Sequence, residues 1–445
     1  MQRLRWVSLN PHWAEFVVAL FRDLKPLGHS LNRNPDGTLT AEIQLPAAIS
    51  DEHFWDDAYR ASHRRVLQVH RNQILSFEND YDHFFVDMAS FQPSAVRPVL
   101  EIANFNNPDH SRIMEYLRLS QSVTSRQLVG RRMGLLIWDV GQTGGTRLFG
   151  GAILASARFS QPIRDRRFGW APDYPRTSRK HDPAARALRL LGLDRIMQLS
   201  IACAVPPYNI LSGAWLTAIA PFTATGLDAF KKSRRNSDGS ADLAAIVTTT
   251  GKGTSGSPFR GHRVHQIAPG SSAAPGAKGD LYTQIRRNEN IKPLRASFKV
   301  LLNEDVWSLA RAIFRQEQPA RFADLKSPEH AAMSFALHRL GLPQTIFDGN
   351  EIGVHIGMLG EDTLDKLRAG LPRPLRERPL IDWERAVGVW SRRFLPAPEL
   401  VGESVKEEHK DDHRTARQGR NNRARAFPAE RIRLSHLLTI VDPQP

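Results

Sequence analysis

The most apolar part of the chain lies between Leu148 and His265, where three runs rich in Ile, Val and Thr follow one another. These runs are LFGGAILASA, IMQLSIACAV and LAAIVTTT. Short continuous apolar runs with turn residues at their ends are typical of buried strands. The pattern therefore predicts a sheet at the centre of the protein, with the remaining elements packed around it.

A β-hairpin is predicted where GLLIWDV is followed by the Gly-rich turn GQTGGT and then by RLFGGAILASA. Two extended runs at this separation are typical of paired antiparallel strands. Gly150 and Gly151 lie inside the second run. They indicate a β-bulge or a close backbone approach to a ligand, and small residues beneath a packed helix are the alternative.

An amphipathic helix is predicted after the second apolar run, directly following the turn PPYNILSG. Its apolar residues follow a 3.6-residue period on one face; they are Leu211, Ala214, Trp215, Ala218, Ile219 and Phe222. Asn209 occupies the expected N-cap position. A buried strand, a tight turn and a helix whose first amides point outward together make a typical anion site.

Helical patterns dominate both flanks of this central region. Residues 1–130 are predicted to be mostly helical, with a first helix that starts at Pro11 and further helices near residues 52–77 and 111–119. The apolar face of the first helix comprises Trp13, Phe16, Val17, Leu20, Phe21 and Leu24. Residues 280–400 are predicted to form a second helical region, and its first apolar face comprises Val306, Leu309, Ala310, Ile313 and Phe314. The stretch EIGVHIGML in that region predicts a strand.

Shifts in composition predict the domain boundaries. The core domain is predicted to span residues 131–267, and the low-complexity stretch at 268–279 is predicted to be a flexible linker. Residues 401–426 are highly charged and nearly free of large apolar side chains, which is typical of a disordered arm. Residues 427–445 are apolar enough to dock on the rest of the protein.

The charge balance favours a polyanionic partner. The chain has 61 Lys plus Arg residues against 46 Asp plus Glu, a formal net charge of +15, and its pI is near 10.3. A basic excess of this size favours nucleic acid, DNA above all. The alternative is an Arg-rich protein that has no such partner.

Cysteine content and hydropathy limit the possible classes of protein. Cys203 is the single cysteine, which excludes a disulfide framework, a Cys-based zinc site and an iron–sulfur cluster. No 18-residue apolar span is present and the first residues lack a signal-peptide core. The sequence therefore predicts a soluble cytoplasmic protein without membrane association.

The stretch DYDHFFVD has no known metal-ligand spacing, so no metal is predicted.

Two Arg-rich segments are candidates for contact with nucleic acid. In RDRRFGW, Asp165 is expected to hold one arginine while another stays free, and the aromatic rings offer stacking faces; the candidate contacts are Arg164, Arg166, Arg167 and Trp170. The alternative is a loop whose aromatic rings cover the sheet edge.

The second segment, GKGTSGSPFRGHR, is rich in hydroxyl groups and cations and suits a phosphate or nucleotide, although it lacks the order of a P-loop. Its candidate contacts are Lys252, Ser255, Arg260 and Arg263. His262 is a candidate general base because an unperturbed imidazole titrates near neutrality. Asp165 is the other catalytic candidate, and the alternative for the whole segment is a disordered connector.

The order of motifs resembles the family of the Druantia anti-phage protein DruA. The matching pieces are VGRRMGLLIWD, RLFGGAILASARF, RDRRFGW, NILSGAWL and TTTGKGTSGSPFRGHRV. The resemblance covers residues 120–264 and continues faintly to Gly357. RDRRFGW is its most specific part.

The central region also resembles the acyl-CoA N-acyltransferase (GNAT) fold, which implies an α+β protein with a central mixed-sheet GNAT-like domain between helical flanks. In that fold the turn after the central strand cradles the cofactor pyrophosphate and carries several glycines. This chain has Asn209, Ser212 and Gly213 there, with one glycine only. The resemblance implies acetyl-CoA or another phosphate-bearing donor.

Three functions follow as expectations. The first is an anti-phage defence protein that acts on nucleic acid and transfers a small group to a base. The second is a non-catalytic DNA- or RNA-binding module of a defence complex, with a partner protein such as a helicase. The third is an acyl-CoA-dependent N-acyltransferase that acts on a small molecule or a protein.

Overall fold

The computed structural model describes most of the chain. The described ranges are 2–3, 11–25, 29–33, 39–43, 63–64, 66–120, 130–159, 161–170, 183–233, 243–250, 259, 262, 264–268, 280–285, 295–297, 302–325, 328–342, 348–351, 353–360, 362–369 and 380–395. The predicted linker at 268–279 lies outside these ranges except for its first residue, and the arm at 401–426 and the docking segment at 427–445 lie wholly outside them.

The chain forms two compact units whose stretches interleave along the sequence. The first unit comprises Met1–Val66, Gly251–Gly253 and Pro293–Ile352. The second comprises Leu67–Thr250, Thr254–Lys292 and Gly353–Pro445. The units therefore combine distant parts of the chain, whereas the sequence predicts consecutive segments.

The first unit is built around a helical core. Its helices are α1 (Pro11–Leu24), α9 (Glu304–Glu317), α10 (Pro319–Ala323) and α11 (Glu329–Arg339). The predicted apolar face of α1 is buried together with that of α9 and part of α11. Asp23 joins α1 to the start of α9, because its carboxylate accepts hydrogen bonds from the Asn303 amide at 2.7 Å and the Asn303 side chain at 3.0 Å.

Short strands complete the first unit. They are β1 (Gln2–Arg3), β2 (His29–Arg33), β3 (Leu39–Ile43), β10 (Arg295–Ser297) and β11 (Asp348–Glu351). Strand β3 lies between β1 and β2, and β10 pairs with β11. The sequence patterns did not predict these strands, which lie in regions predicted to be helical.

The second unit contains the central sheet. Its strands are β4 (Pro98–Ala103), β5 (Arg132–Asp139), β6 (Arg147–Ser156), β7 (Ile196–Ala204), β8 (Ala245–Thr250), β9 (Tyr282–Gln284) and β12 (Gly353–Met358). Its helices are α2 (Arg71–Asp80), α3 (Pro108–Leu119), α4 (Pro162–Arg167), α5 (Pro183–Leu193), α6 (Ala214–Ile219), α7 (Ala224–Ser233), α8 (Val264–Ile267), α12 (Thr363–Ala369) and α13 (Trp383–Phe394).

The central sheet is mixed. Its strand order is β4-β5-β6-β7-β8-β12-β9. Strands β7 and β8 are parallel, and the other neighbouring strands are antiparallel. A parallel pair needs a crossover connection, and α6 and α7 lie in the connection between β7 and β8. The fold is therefore α+β with a mixed sheet, as the sequence predicts.

Pairing between β7 and β8 is short. It extends from Ile196 opposite Ala245 to Leu199 opposite Thr248. Beyond Leu199, β7 continues to Ala204 alongside β6, while β8 continues to Thr250 alongside β12. The two parallel strands thus part at the end where the turn after β7 begins.

The predicted hairpin is confirmed as the β5–β6 pair, with a bulge beside its glycines; the close contacts of these glycines match the alternative of small residues beneath a packed helix. The register shifts between Ile137 and Trp138, which marks a bulge. A Cβ atom on Gly150 would lie 2.4 Å from the Cys203 carbonyl oxygen, and one on Gly151 would lie 2.7 Å from that of Leu135. The glycines therefore allow the β6 backbone to approach its neighbours, and α3 covers this point through Leu117.

Candidate nucleic-acid interface

The RDRRFGW segment folds as the short helix α4 followed by a turn, and its first charged pair is buried. Arg164 and Asp165 are both 0% exposed. Arg164 Nε donates to Asp165 Oδ1 at 2.8 Å, and the Gln161 amide donates to Asp165 Oδ2 at 2.9 Å. The expectation that Asp165 holds one arginine is confirmed. Both carboxylate oxygens of Asp165 accept these hydrogen bonds, and its catalytic role stays a prediction.

The aromatic rings of the segment also face inward. Phe168 and Trp170 are each 0% exposed, and Trp170 Nε1 donates to the Leu367 carbonyl at 3.0 Å. A Cβ atom on Gly192 would lie 2.0 Å from the Trp170 ring. Helices α5 and α12 therefore both contact Trp170 and help to bury it.

Burial changes the assignment of contacts in this segment. The side chains of Arg164 and Trp170 do not reach the surface, so the predicted contact with nucleic acid is closed to both of them in this structure. Their burial has a physical cause, since a neighbouring carboxylate pairs with Arg164 and the indole removes a large apolar area from water. Arg166 is half-buried and Arg167 is exposed, and contact of these two residues with nucleic acid stays a prediction.

The turn after β7 differs from the predicted helix start. Helix α6 begins at Ala214, with Gly213 at the N-cap position, so the prediction of Asn209 as the N-cap was wrong. The amide of Asn209 donates to the Val205 carbonyl at 3.1 Å, and the amide of Gly213 donates to the Tyr208 carbonyl at 2.8 Å. These two amides therefore donate to carbonyl groups of the turn that precedes the helix.

The same turn leaves little room for a ligand beside Gly213. The Ser212 amide donates to the Asn209 carbonyl at 3.2 Å, and Ser212 has a left-handed φ of 57°. A Cβ atom on Gly213 would lie 2.7 Å from the Ala204 side chain. Cofactor binding by Asn209, Ser212 and Gly213 stays a prediction, but the structure uses all three amides within the protein.

His262 lies inside the second unit. It is 0% exposed, and its ring stacks on Trp215 with centroids 4.5 Å apart. Nε2 donates to the Trp215 carbonyl at 3.1 Å, because a carbonyl oxygen can only accept. Burial lowers the pKa of His262 to about 4, which corrects the expectation that this ring titrates near neutrality. The other predicted contacts of this segment, Lys252, Ser255, Arg260 and Arg263, lie outside the described residues.

A set of basic residues lies at the end of the central sheet where β5 and β7 begin and β6 ends. The register brings these ends together, since Arg132 lies opposite Ala155 and Met197 lies opposite Ser156. Four cations there are exposed; this set, called the basic edge below, comprises Arg132, Arg158, Lys231 and Lys232. Within the described part of the chain, none of the four forms an ion pair.

Arg131 connects the elements of the basic edge. Its guanidinium lies 5.3 Å from the centroid of the Phe230 ring, which immediately precedes the two lysines at the end of α7. It also donates to the Asp194 carbonyl at 2.7 Å, and its amide donates to Ser156 Oγ at 2.9 Å. These contacts hold the ends of α7, β6 and α5 beside the first residue of β5.

From the sequence, Arg131 and Arg132 flank the entry to the first strand of the core domain, where they could steer an anionic substrate or be rim charges with no partner. The sequence gives no role to Arg158 or to the lysines of α7. Their shared location depends on strand order, which the hydrophobic pattern does not specify. The run KKSRR at residues 231–235 was the one local signal of a basic surface.

In the described ranges, no group of three or more His, Cys, Asp or Glu residues is arranged to hold a metal ion. No described helix combines the length and apolar composition that crossing a membrane requires. Comparison of the chain with protein-family models, curated proteins and solved structures finds no match.

Proposed function

We propose that this protein binds nucleic acid through the basic edge. The observation that carries the proposal is the set of four exposed cations without ion pairs in the described part of the chain, which lie together at the end of the sheet where β5 and β7 begin and β6 ends. Phosphate groups attract such cations because binding releases condensed counterions. The formal net charge of +15 acts in the same direction over a longer range.

The test compares two variants that lose the same charge. The edge variant carries Arg132→Gln, Arg158→Gln, Lys231→Gln and Lys232→Gln. The scattered variant carries Arg186→Gln, Arg315→Gln, Arg321→Gln and Arg392→Gln, at exposed positions elsewhere. The net charge of each variant is lower by four, so a difference in DNA affinity between them shows that the position of the cations matters.

Fluorescence anisotropy with labelled duplex and single-stranded DNA measures the affinity at several salt concentrations. If about six phosphates are neutralised, the log–log slope of the unmodified protein is expected to be on the order of −5. The edge variant should have a slope shallower by about three to four and a weaker affinity, and the scattered variant should change much less. Absence of binding at ~50 mM salt, or equal losses in the two variants, would overturn the proposal.

We propose that the nucleic acid belongs to phage and that the protein acts in anti-phage defence, which is the most specific expectation that the DruA-like motifs supply. The structure supports a binding role over a transfer role at the turn after β7, because Asn209, Ser212 and Gly213 use their amides internally. Plaque counts on cells that express the protein or its edge variant test this role. Equal plaque counts with and without the protein would overturn it.

A GNAT-like transferase is the second candidate function, and the parting of β7 and β8 favours it. Parallel strands that separate leave space between their ends, beside the turn that precedes α6. A donor such as acetyl-CoA would have to enter there without the amides of the turn. Calorimetric titration with acetyl-CoA, together with mass spectrometry of nucleosides from cells with and without the gene, tests it. No binding and no modified nucleoside would exclude this candidate.

A further inference from the structure

Two arginines, Arg164 of α4 and Arg189 of α5, share the buried carboxylate of Asp165. Arg164 pairs with Asp165 Oδ1, and Arg189 Nε lies 3.9 Å from Asp165 Oδ2. Within the described part of the chain, Asp165 is the carboxylate that either guanidinium reaches within 4.0 Å. Two positive charges therefore face one negative charge in a region where Arg164 and Asp165 are both 0% exposed.

The hydrogen bonds of these guanidinium groups are also incomplete. Arg164 Nη1 and Arg189 Nε are buried and have no hydrogen-bond partner among the described residues. Two further groups are engaged: Arg164 Nη2 contacts Asp165 Oδ1 and the Phe159 carbonyl, and Arg189 Nη2 donates to the Trp170 carbonyl at 3.0 Å. The unused donors belong to both arginines.

An unpaired buried cation is unfavourable. Removing a guanidinium from water costs free energy that a counter-charge and hydrogen bonds must offset. Burial lowers the pKa of Arg164, yet an arginine side chain stays protonated in proteins. An anion with two acceptor oxygens would supply both the missing charge and the missing acceptors, since the guanidinium fork matches an oxyanion.

We propose that Arg164 and Arg189 form a binding site for a small oxyanion, the phosphate or carboxylate group of a ligand. Access is from the Arg189 side, where its side chain is 17% exposed. The Phe159 ring, 46% exposed, lies 5.3 Å from the Arg189 guanidinium. The site takes one anionic group in the interior, so it is different from the surface that the basic edge offers to a polyanion.

The test uses inorganic phosphate and acetate as probes, in calorimetric titrations at constant ionic strength set with chloride. The unmodified protein is expected to bind at least one of them, and the probe that binds identifies the oxyanion. Arg189→Gln leaves the Arg164–Asp165 pair in place and removes one charge, so its Kd should be about tenfold weaker or more. Arg186→Gln, an exposed position on the same helix, should bind as the unmodified protein does.

Three results would overturn the proposal: no binding of either probe to the unmodified protein, equal binding by Arg189→Gln, or equal weakening by Arg186→Gln, which would indicate general attraction to a basic surface. Circular dichroism of each variant without probe checks the fold. If Arg189→Gln does not fold, Arg189→Lys replaces it, because it keeps the charge and loses the planar fork, and it should bind more weakly than the unmodified protein. DNA binding by the basic edge is measured separately, so either proposal can fail alone.

Discussion

Tyr208 donates its hydroxyl hydrogen bond to Asp139 Oδ2 at 2.8 Å, and both residues are 0% exposed. The bond joins the turn after β7 to the last residue of β5. Asp139 Oδ1 accepts from the amides of Arg97 and Gly141 at 2.8 and 2.9 Å. Burial and the adjacent carboxylate raise the pKa of Tyr208, so its hydroxyl stays protonated and continues to donate.

Tyr208→Phe should lower the free energy of unfolding of the second unit by about 1.5–3 kcal/mol, because it leaves a buried carboxylate oxygen without its donor. Tyr282→Phe is the matched control, since the buried Tyr282 hydroxyl donates to the neutral carbonyl of Ala218 at 2.7 Å. It should cost about 0.5–1.5 kcal/mol. Urea unfolding of the two variants measures the difference, and a larger loss for Tyr282→Phe would contradict the role given to Asp139.

Asp165→Asn should destabilise the protein strongly, because it leaves the buried Arg164 guanidinium without a counter-charge. The expected loss is about 3–5 kcal/mol. Asp228→Asn, at an exposed position of α7, removes the same charge and should change stability by no more than about 0.5 kcal/mol. Thermal unfolding midpoints give the comparison, and similar midpoints for the two variants would show that the buried pair contributes little.

Gly213→Ala should be destabilising by about 1–3 kcal/mol, since the added methyl group would overlap Ala204, the Tyr208 carbonyl and Phe149. Gly388→Ala is expected to raise the free energy of unfolding instead. Its nearest contact would be the flexible end of Arg392 at 3.5 Å, and alanine is favoured over glycine in a helix by about 0.5–1 kcal/mol. Urea unfolding tests both signs. A Gly213→Ala variant as stable as the unmodified protein would show that Ala204, the Tyr208 carbonyl and Phe149 can shift to accept a methyl group.

His262 should make stability fall on acidification between pH 6.5 and about 4. In this interval the unfolded chain binds a proton at this residue and the folded chain does not, so the free energy of unfolding decreases as the pH falls. A pKa lowered from 6.5 to about 4 corresponds to roughly 3 kcal/mol in total.

The measurement for His262 is the free energy of unfolding at several pH values. His262→Gln removes the titrating ring and should show a smaller loss than the unmodified protein across this interval. His338→Gln, at an exposed position of α11, should follow the unmodified protein. Parallel curves for His262→Gln and the unmodified protein would contradict the buried neutral state.

Local patterns predicted the elements that depend on neighbouring residues. The apolar period of α1 placed Trp13, Phe16 and Leu20 in the core, where each is at most 1% exposed. Alternation of apolar runs with a Gly-rich turn predicted the β5–β6 hairpin. Both patterns span a few residues, and burial of one face is what produces the period.

Contacts between distant residues set the limits of prediction at the candidate sites. Adjacent charges predicted that Asp165 holds one arginine, but burial of Trp170 depends on Leu367, which lies 197 positions away in the chain. The N-cap prediction at Asn209 failed because turn hydrogen bonds and packing of Gly213 on Ala204 compete with helix formation there. Residues 29–33 and 39–43 form strands although the flank was predicted to be helical. The prediction missed them because a helical period carries no information about the partners with which a strand pairs.

The sequence by itself determined the charge of the protein, its α+β class and which helix faces are buried, because these follow from side-chain chemistry and local spacing. The tertiary structure decided which cations are exposed and which are enclosed. Arg132 and Lys231 come together at the basic edge through strand order, whereas Arg164 is enclosed with Asp165 beneath α5. Strand order depends on the combined packing of the whole sheet, so residue type alone could not distinguish the arginine at the surface from the arginine in the core.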